Sequence, residues 1–242
     1  MKEYKVEVFS NEKYRLGESP FYDSRTKTIS WVDIMAGKFY RLKEGVRSEF
    51  DCGQAIGTAL PAEEPGTYLI AGTDGLYFFA DEKMTLLKTL TGLYKSYQQS
   101  NDAKSDAAGR LWFGSSLLDG AEHEPCGKLY CIDFANGGDI KIKQADTKIS
   151  NGMTDGMCID SDDNLWIAFW GGSRIEKRSG KDGSLLATVK VDAKNVTSCC
   201  FIGEKLDTLF ITTSGNAQTG SHDGCLFSCR VDAKGVKEDY CL

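Results

Sequence analysis

The run LWIAFWGGSRIEKR, residues 165–178, holds two short strand-like segments joined through glycines, and its pattern returns four more times along the chain. The other copies are ISWVDIMAGKFYRL (29–42), TYLIAGTDGLYFFA (67–80), LWFGSS with GKLYCID (111–116 and 127–133), and LFITTS with GCLFSCR (209–214 and 224–230). Each reads as a polar turn, an aromatic or aliphatic strand, a glycine, and a second strand. In three copies the anchor-to-glycine distance is six residues: Trp31 to Gly37, Leu69 to Gly75 and Trp166 to Gly172. The other two insert a loop before Gly127 and Gly224. The anchors Trp31, Leu69, Trp112, Trp166 and Phe210 lie 38, 43, 54 and 44 residues apart. That is the length of a four-stranded propeller blade, roughly 40–50 residues.

Turns rich in Asp, Gly and Lys precede every anchor strand, as the tight hairpins of antiparallel sheets require. A β-sandwich would need no such fixed period. The expected fold is therefore all-β, a β-propeller forming a single domain over residues 1–242. A blade cannot bury both faces alone, so blades must stack on one another. Residues 5–9, near the N-terminus, alternate charge with hydrophobe and are placed to complete the sheet of the last repeat. Only KMTLLKTL (83–90) offers a helical period, enough for one short turn.

Composition narrows the function classes. With 41% hydrophobic and 26% charged residues, the chain has an ordinary globular make-up. A net charge of -6 argues against non-specific nucleic-acid binding. Neither a long apolar run nor an export signal is evident, so the expectation is a cytoplasmic protein with no nucleic-acid or membrane partner. Nine cysteines without a CxxC pair, several inside apolar strands such as LYCID, GMCID and SCCFI, read as reduced core residues.

In a propeller the innermost strands line the channel, so the residues entering them converge near the axis. Eleven to thirteen residues before their anchors stand Glu18, Gln99, Asn101 and Asp155, with Asn151 four residues before Asp155. Residues 56–58 and 197–199 hold the same place in the second and fifth repeats. Each has an ordinary reading as a turn residue. Their shared phase brings two carboxylates and several amides to one place. Oxygen donors of that kind suit a divalent metal. Asp160, Asp162 and Asp163 read as solvated hairpin tips. No GxSxG, Walker A or GxGxxG motif occurs.

The strings LGESPFYDSRTKTISWVDI (16–34), SNDAKSDAAGRLWFGS (100–115), ISNGM (149–153), TDGMCIDSDDNLWIAFWGG (154–172) and TSCCF (197–201) resemble, in order, the signature segments of the SMP-30/gluconolactonase/regucalcin family. The resemblance implies a six-bladed propeller with a divalent metal near its axis and hydrolysis of sugar lactones. Vertebrate members are also described as calcium-binding regulators, and insect relatives include a luciferin-regenerating enzyme. Carried over by motif, Glu18, Asn151 and Asp155 are the metal ligands, and Asp155 doubles as general base. The implied ion is Ca²⁺ first, with Zn²⁺, Mn²⁺ or Mg²⁺ as alternatives, and the implied partner is a small sugar lactone. Gln99, Asn101 and Asp119 fall on the substrate side, with Asp102 beside Asn101.

Three departures bear on this. The family's Arg-x-Asn-Asp-Gly segment has Gln99 in place of Arg and Ala103 in place of Gly, which removes a fixed fork of donors. Its acidic substrate residue is matched only by Asp119. The segments resembling ISNG and PDGM, a blade apart in the family, abut here at residues 149–157. About one blade is thus missing, leaving five blades or an incomplete ring. A gluconolactonase-type hydrolase is the leading expectation. A non-catalytic calcium-binding regulator or an inactive splice form is the alternative.

Overall fold

A computed structural model describes residues 4–93, 98–117, 128–134, 139–143, 153–216 and 220–240. No α-helix occurs among them, and none is therefore long and apolar enough to cross a membrane. The strands form five sheets of four. The first holds β2 (Gly17–Asp23), β3 (Thr28–Asp33), β4 (Lys38–Lys43) and β5 (Val46–Asp51). The second holds β6 (Ile56–Pro61), β7 (Tyr68–Gly72), β8 (Gly75–Ala80) and β9 (Lys83–Thr89), and the third β10 (Gln98–Ser105), β11 (Leu111–Leu117), β12 (Leu129–Asp133) and β13 (Asp139–Lys143). The fourth holds β14 (Met153–Ile159), β15 (Leu165–Trp170), β16 (Arg174–Arg178) and β17 (Leu185–Lys190). The fifth runs β18 (Asn195–Ile202), β19 (Thr208–Ser214), β20 (Leu226–Arg230) and then β1 (Val6–Ser10). This is an all-β chain with five blades of propeller type. Every anchor falls on the second strand of its blade.

The N-terminal strand completes the last sheet as its sequence implies. β1 pairs antiparallel with β20, Val6 opposite Cys229 and Glu7 opposite Ser228. The helical expectation for residues 83–90 fails. Asp81 and Glu82 both take left-handed backbone, at φ 50° and 56°, and make a two-residue hairpin that sets Ala80 opposite Lys83. Two central residues at positive φ define the turn whose twist matches paired strands. The segment therefore continues as β9, because a short apolar run carries no period of its own that outweighs the turn before it.

Backbone contacts group into two compact units, Met1–Ile29 with Lys148–Lys237, and Ser30–Thr147 with Glu238–Leu242. In the first, the fourth and fifth blades pack through Trp166, Ile175, Val189, Cys199, Phe201, Ile211 and Phe227, all buried. Trp166 meets Phe201 edge to face at 5.8 Å between ring centres. In the second, Phe39 lies 4.7 Å from Tyr68 and 5.5 Å from Phe79, in edge-to-face geometry that favours aromatic pairs beyond their burial. The described cysteines Cys52, Cys131, Cys158, Cys199, Cys200, Cys225 and Cys229 are all free thiols, as their apolar settings imply.

The reading of Asp160 as a solvated tip is wrong, although Asp162 and Asp163 are exposed. Asp160 is fully buried. Its carboxylate accepts from the amides of Asp162 at 3.0 Å and Asn164 at 2.9 Å and from the Trp166 indole at 3.0 Å, and pairs with Lys177 at 2.9 Å. In the third blade Asp106 makes the same device, accepting from the amides of Ala108 and Arg110 and from the Trp112 indole at 2.8 Å. Burial pushes the Asp160 carboxyl up, but the Lys177 amine, the backbone amides and the indole together hold it below its ordinary value. An aspartate before a hairpin thus staples the turn to the anchor tryptophan.

Candidate functional site

The first strand of each blade carries an irregularity at one phase of the repeat. The β6–β7 ladder shifts register between Ile56 and Thr58, β10–β11 between Ser100 and Ala103, β14–β15 between Thr154 and Met157, and β18–β19 between Val196 and Ser198. Gly57, Asn101–Asp102, Asp155–Gly156 and Thr197 are the residues set out of register. In β2 the matching position is Glu18–Ser19, where Ser19 holds a left-handed φ of 49° just before Pro20. Left-handed backbone at a non-glycine residue is uncommon and persists where surrounding structure imposes it. Bulges turn a side chain away from the regular pleat and gather beside functional sites. Asn101 and Asp155 thus stand at bent strands and Glu18 at the matching position of β2, whereas Gln99 is in regular register opposite Ser116.

Within the first unit, β18 packs against both β2 and β14. The Thr197 hydroxyl donates to the carbonyl of Gly17 at 2.6 Å and lies 2.8 Å from the Thr212 hydroxyl. Glu18 is only 1% exposed, and its carboxylate accepts from the Ser19 amide at 2.8 Å. On the other side of β18, the Cys158 and Cys199 sulfurs are 3.6 Å apart, and the Cys199 thiol donates to the Trp166 carbonyl at 3.4 Å. Asp155, half-buried, stands on the β14 bulge three residues before Cys158. Asn151 lies outside the described residues.

Within the second unit, Ser100 ties β10 to the second blade. Its hydroxyl donates to the Ala71 carbonyl at 2.7 Å and accepts from the Gly57 amide at 3.1 Å. Gly57 is a glycine because a Cβ there would collide with the backbone of Ser100. Gln99 is buried at 1% exposure, and Asn101 and Asp102 are half-buried. Asp102 accepts from the Ala103 amide at 2.8 Å. Asp119 lies outside the described residues.

The structure bears on the metal through its donor set. Among the described residues, no three His, Cys, Asp or Glu side chains gather into one group. Glu18, Asp102 and Asp155 are the carboxylates at these irregular positions, and Asn101 and Thr197 add amide and hydroxyl oxygens at the same phase. An all-oxygen set of this kind fits a hard cation such as Ca²⁺, Mg²⁺ or Mn²⁺. His222 is engaged elsewhere, 2.7 Å from Asp192.

β14 differs from its counterparts. β6 and β18 are buried throughout, whereas Met153, Met157 and Ile159 of β14 are 64%, 40% and 38% exposed.

The comparisons with known proteins place the break at the same point. The family model described as the SMP-30/gluconolactonase/LRE-like region matches residues 16–154 and 153–215, in two pieces that meet at Met153–Thr154. Regucalcin of Danio rerio is 26% identical over 290 aligned positions, covering 98% of this chain and 97% of its own. A 6-deoxy-6-sulfogluconolactonase of Pseudomonas putida is 25% identical over 276 positions, covering 92% and 94%. Both alignments run longer than the 242 residues of this chain, so these relatives carry a stretch that it lacks. The solved structure of a calcium-binding protein, regucalcin, from Agrobacterium tumefaciens superimposes with a TM-score of 0.87 at 19% identity, covering 99% of this chain and 98% of that one, and so shares its fold. The chain belongs to the SMP-30/gluconolactonase/LRE-like family, with its family match divided where two axial motifs abut.

Proposed function

We propose that the chain is a sugar-lactone hydrolase of gluconolactonase type that works with a divalent cation, Ca²⁺ first. The observation that carries this is Glu18, a carboxylate 1% exposed on a first strand, next to a serine in left-handed backbone. A carboxylate held rigid in a first strand is a hard oxygen donor of the kind a divalent cation takes. Glu18, Asp155 and the carboxamide of Asn151 are the residues that would hold the ion. When bound, it would polarise the lactone carbonyl as a Lewis acid. Asp155 accepts the proton of the attacking water as general base. The water oxygen bonds to the carbonyl carbon, the ring C–O bond breaks, and the ring oxygen leaves as a hydroxyl by taking the proton back from Asp155. Asn101 and, by motif alone, Asp119 are assigned to the sugar hydroxyls. The relative named as a gluconolactonase supports this substrate class.

Two observations favour a second reading, a calcium-binding protein without catalysis: Gln99 replaces the arginine, and the family match breaks beside Asp155. One set of measurements separates the two. Thermal melts are recorded with Ca²⁺, Mn²⁺ and Mg²⁺ for the wild type and Glu18→Ala, followed by hydrolysis of D-glucono-1,5-lactone by the wild type and Asp155→Asn. A ligand that binds only the folded state raises the melting temperature. A metal-dependent rise lost in Glu18→Ala, with hydrolysis lost in Asp155→Asn, supports the hydrolase. The rise without hydrolysis supports the binding protein. No metal response sinks both.

A further inference from the structure

Cys158 and Cys199 stand on the first strands of the fourth and fifth blades, β14 and β18, and their sulfurs lie 3.6 Å apart. Both belong to the buried cluster in which these two blades meet, with Trp166, Ala168 and Phe201. Cys199 has no exposed surface, whereas Cys158 is 8% exposed. The Cys199 thiol donates to the Trp166 carbonyl at 3.4 Å, which leaves its sulfur as the acceptor toward Cys158. Cys200, next along β18, sits in regular register opposite Phe210 and so faces the other side of the strand. The pairing is therefore specific to Cys199.

A disulfide needs the sulfurs at ~2.05 Å, so the pair must close by about 1.5 Å. The strand that carries Cys158 is suited to give that distance. β14 is the terminal strand of its sheet and is laddered to β15 alone. That ladder is already interrupted between Thr154 and Met157, immediately before Cys158. The residues on either side of Cys158, Met157 and Ile159, are 40% and 38% exposed, so a small oxidant reaches the strand at this point. A thiol with some exposure beside a second, resolving thiol is the arrangement of a redox-sensitive cysteine pair.

We infer that Cys158 and Cys199 are a redox latch, which hydrogen peroxide closes into a disulfide that pins β14 to β18. The Cys158 sulfur gives up its proton and attacks one peroxide oxygen. The O–O bond breaks, the leaving hydroxide takes the proton as water, and Cys158 becomes a sulfenic acid. The Cys199 sulfur then attacks the Cys158 sulfur, the S–O bond breaks, and the hydroxide leaves with the Cys199 proton as a second water. Two thiols thus lose two electrons to one peroxide. The inference does not depend on the proposed activity, although Asp155, three residues before Cys158, would be held with the strand.

The test treats the folded protein with hydrogen peroxide, alkylates the remaining thiols, digests with trypsin without reduction and maps the peptides by tandem mass spectrometry. The expected product joins residues 149–174 to residues 195–205, two hydrogens lighter than the sum of the two, with fragmentation placing the link on Cys199 rather than Cys200. Dithiothreitol should release it. The bond would close a loop between positions 41 apart, so the oxidised protein should melt roughly 5–15 °C above the reduced one. Cys158→Ala and Cys199→Ala should each abolish both the link and the rise, and Cys200→Ala should keep them. The map of the wild type stands even where a variant folds poorly. Sulfinic acid at Cys158 without a link, a link from Cys158 to any other cysteine, a link formed only in urea, or a linked protein that melts no higher would each overturn the inference.

Discussion

Thr197 donates its hydroxyl proton to the carbonyl oxygen of Gly17 across 2.6 Å, joining residues 180 apart in the chain. The bond ties the bulge of β18 to β2 at the residue before Glu18. Both groups are buried, and the Thr212 hydroxyl completes the chain of contacts at 2.8 Å. Because β18 also packs against β14, the strands bearing Glu18 and Asp155 are both held against it.

Replacing Thr197 by Val keeps the shape and removes the hydroxyl. It leaves the Gly17 carbonyl and the Thr212 hydroxyl without this partner in a buried setting, at a cost of about 1–3 kcal/mol. Urea unfolding should show a lower midpoint at unchanged slope, with Thr197→Ser much closer to the wild type. A Val variant with the wild-type midpoint would show that the bond contributes nothing.

Asp160 and Lys177 form a buried pair at 2.9 Å. Asp160→Asn leaves the Lys177 amine without its counter-charge and should cost about 3–5 kcal/mol at neutral pH. The folded Asp160 carboxyl titrates below its ordinary 3.8, so its contribution is present above that value and is lost as pH falls through the lower folded one. The stability gap between wild type and variant should therefore be constant near neutrality and close only below about pH 3.8. A gap that closes near pH 6 would assign the effect to another group.

Burial raises the Cys229 thiol to about 11, and burial followed by the Asp51 charge raises Cys52 to about 12. The thiolate is the reactive form, so at pH 7.5 each is essentially unreactive while folded. Iodoacetamide should leave both unlabelled in the native protein and modify both in urea, read by peptide mass spectrometry. Native labelling at the rate of a free thiol would show that the last blade opens around Cys229 or that the loop holding Cys52 is not closed.

Gly57→Ala places a methyl group into the Ser100 backbone and should destabilise by about 1–3 kcal/mol, since neither strand can retreat from its ladder. Met157→Ala, at a side chain 40% exposed, should stay within about 1 kcal/mol of the wild type. Chemical denaturation of both variants checks the contrast. Equal losses would mean that β14 is covered in solution.

Much of the fold was legible in the residues. The anchors from Trp31 to Phe210 recur at blade spacing, and each lies on the second strand of its sheet. The strand before the first repeat pairs with β20, and the cysteines of the apolar runs are reduced. The abutting ISNGM and TDGM marked the point where the family match divides. Residues 83–90 were illegible because four apolar positions in a short run suit either period, and the backbone of Asp81 and Glu82 decided between them. Asp160 was illegible for a different reason. An aspartate before a hairpin looks the same whether water or an indole receives it, and Trp166 and Lys177 come from β15 and β16.

By itself, then, the sequence determined the repeat, the all-β class, the family and the candidate residues Glu18, Gln99, Asn101 and Asp155, because periodicity and motif are properties of neighbours along the chain. Only the tertiary structure decided which of them stand on bulges, that Glu18 is shut away from water, and that Gln99 Oε1 has no donor among the described residues. Those facts depend on contacts such as Gly57 with Ser100, 43 residues apart, and Gly17 with Thr197, 180 apart. Register and desolvation arise only when strands distant in the chain are laid side by side.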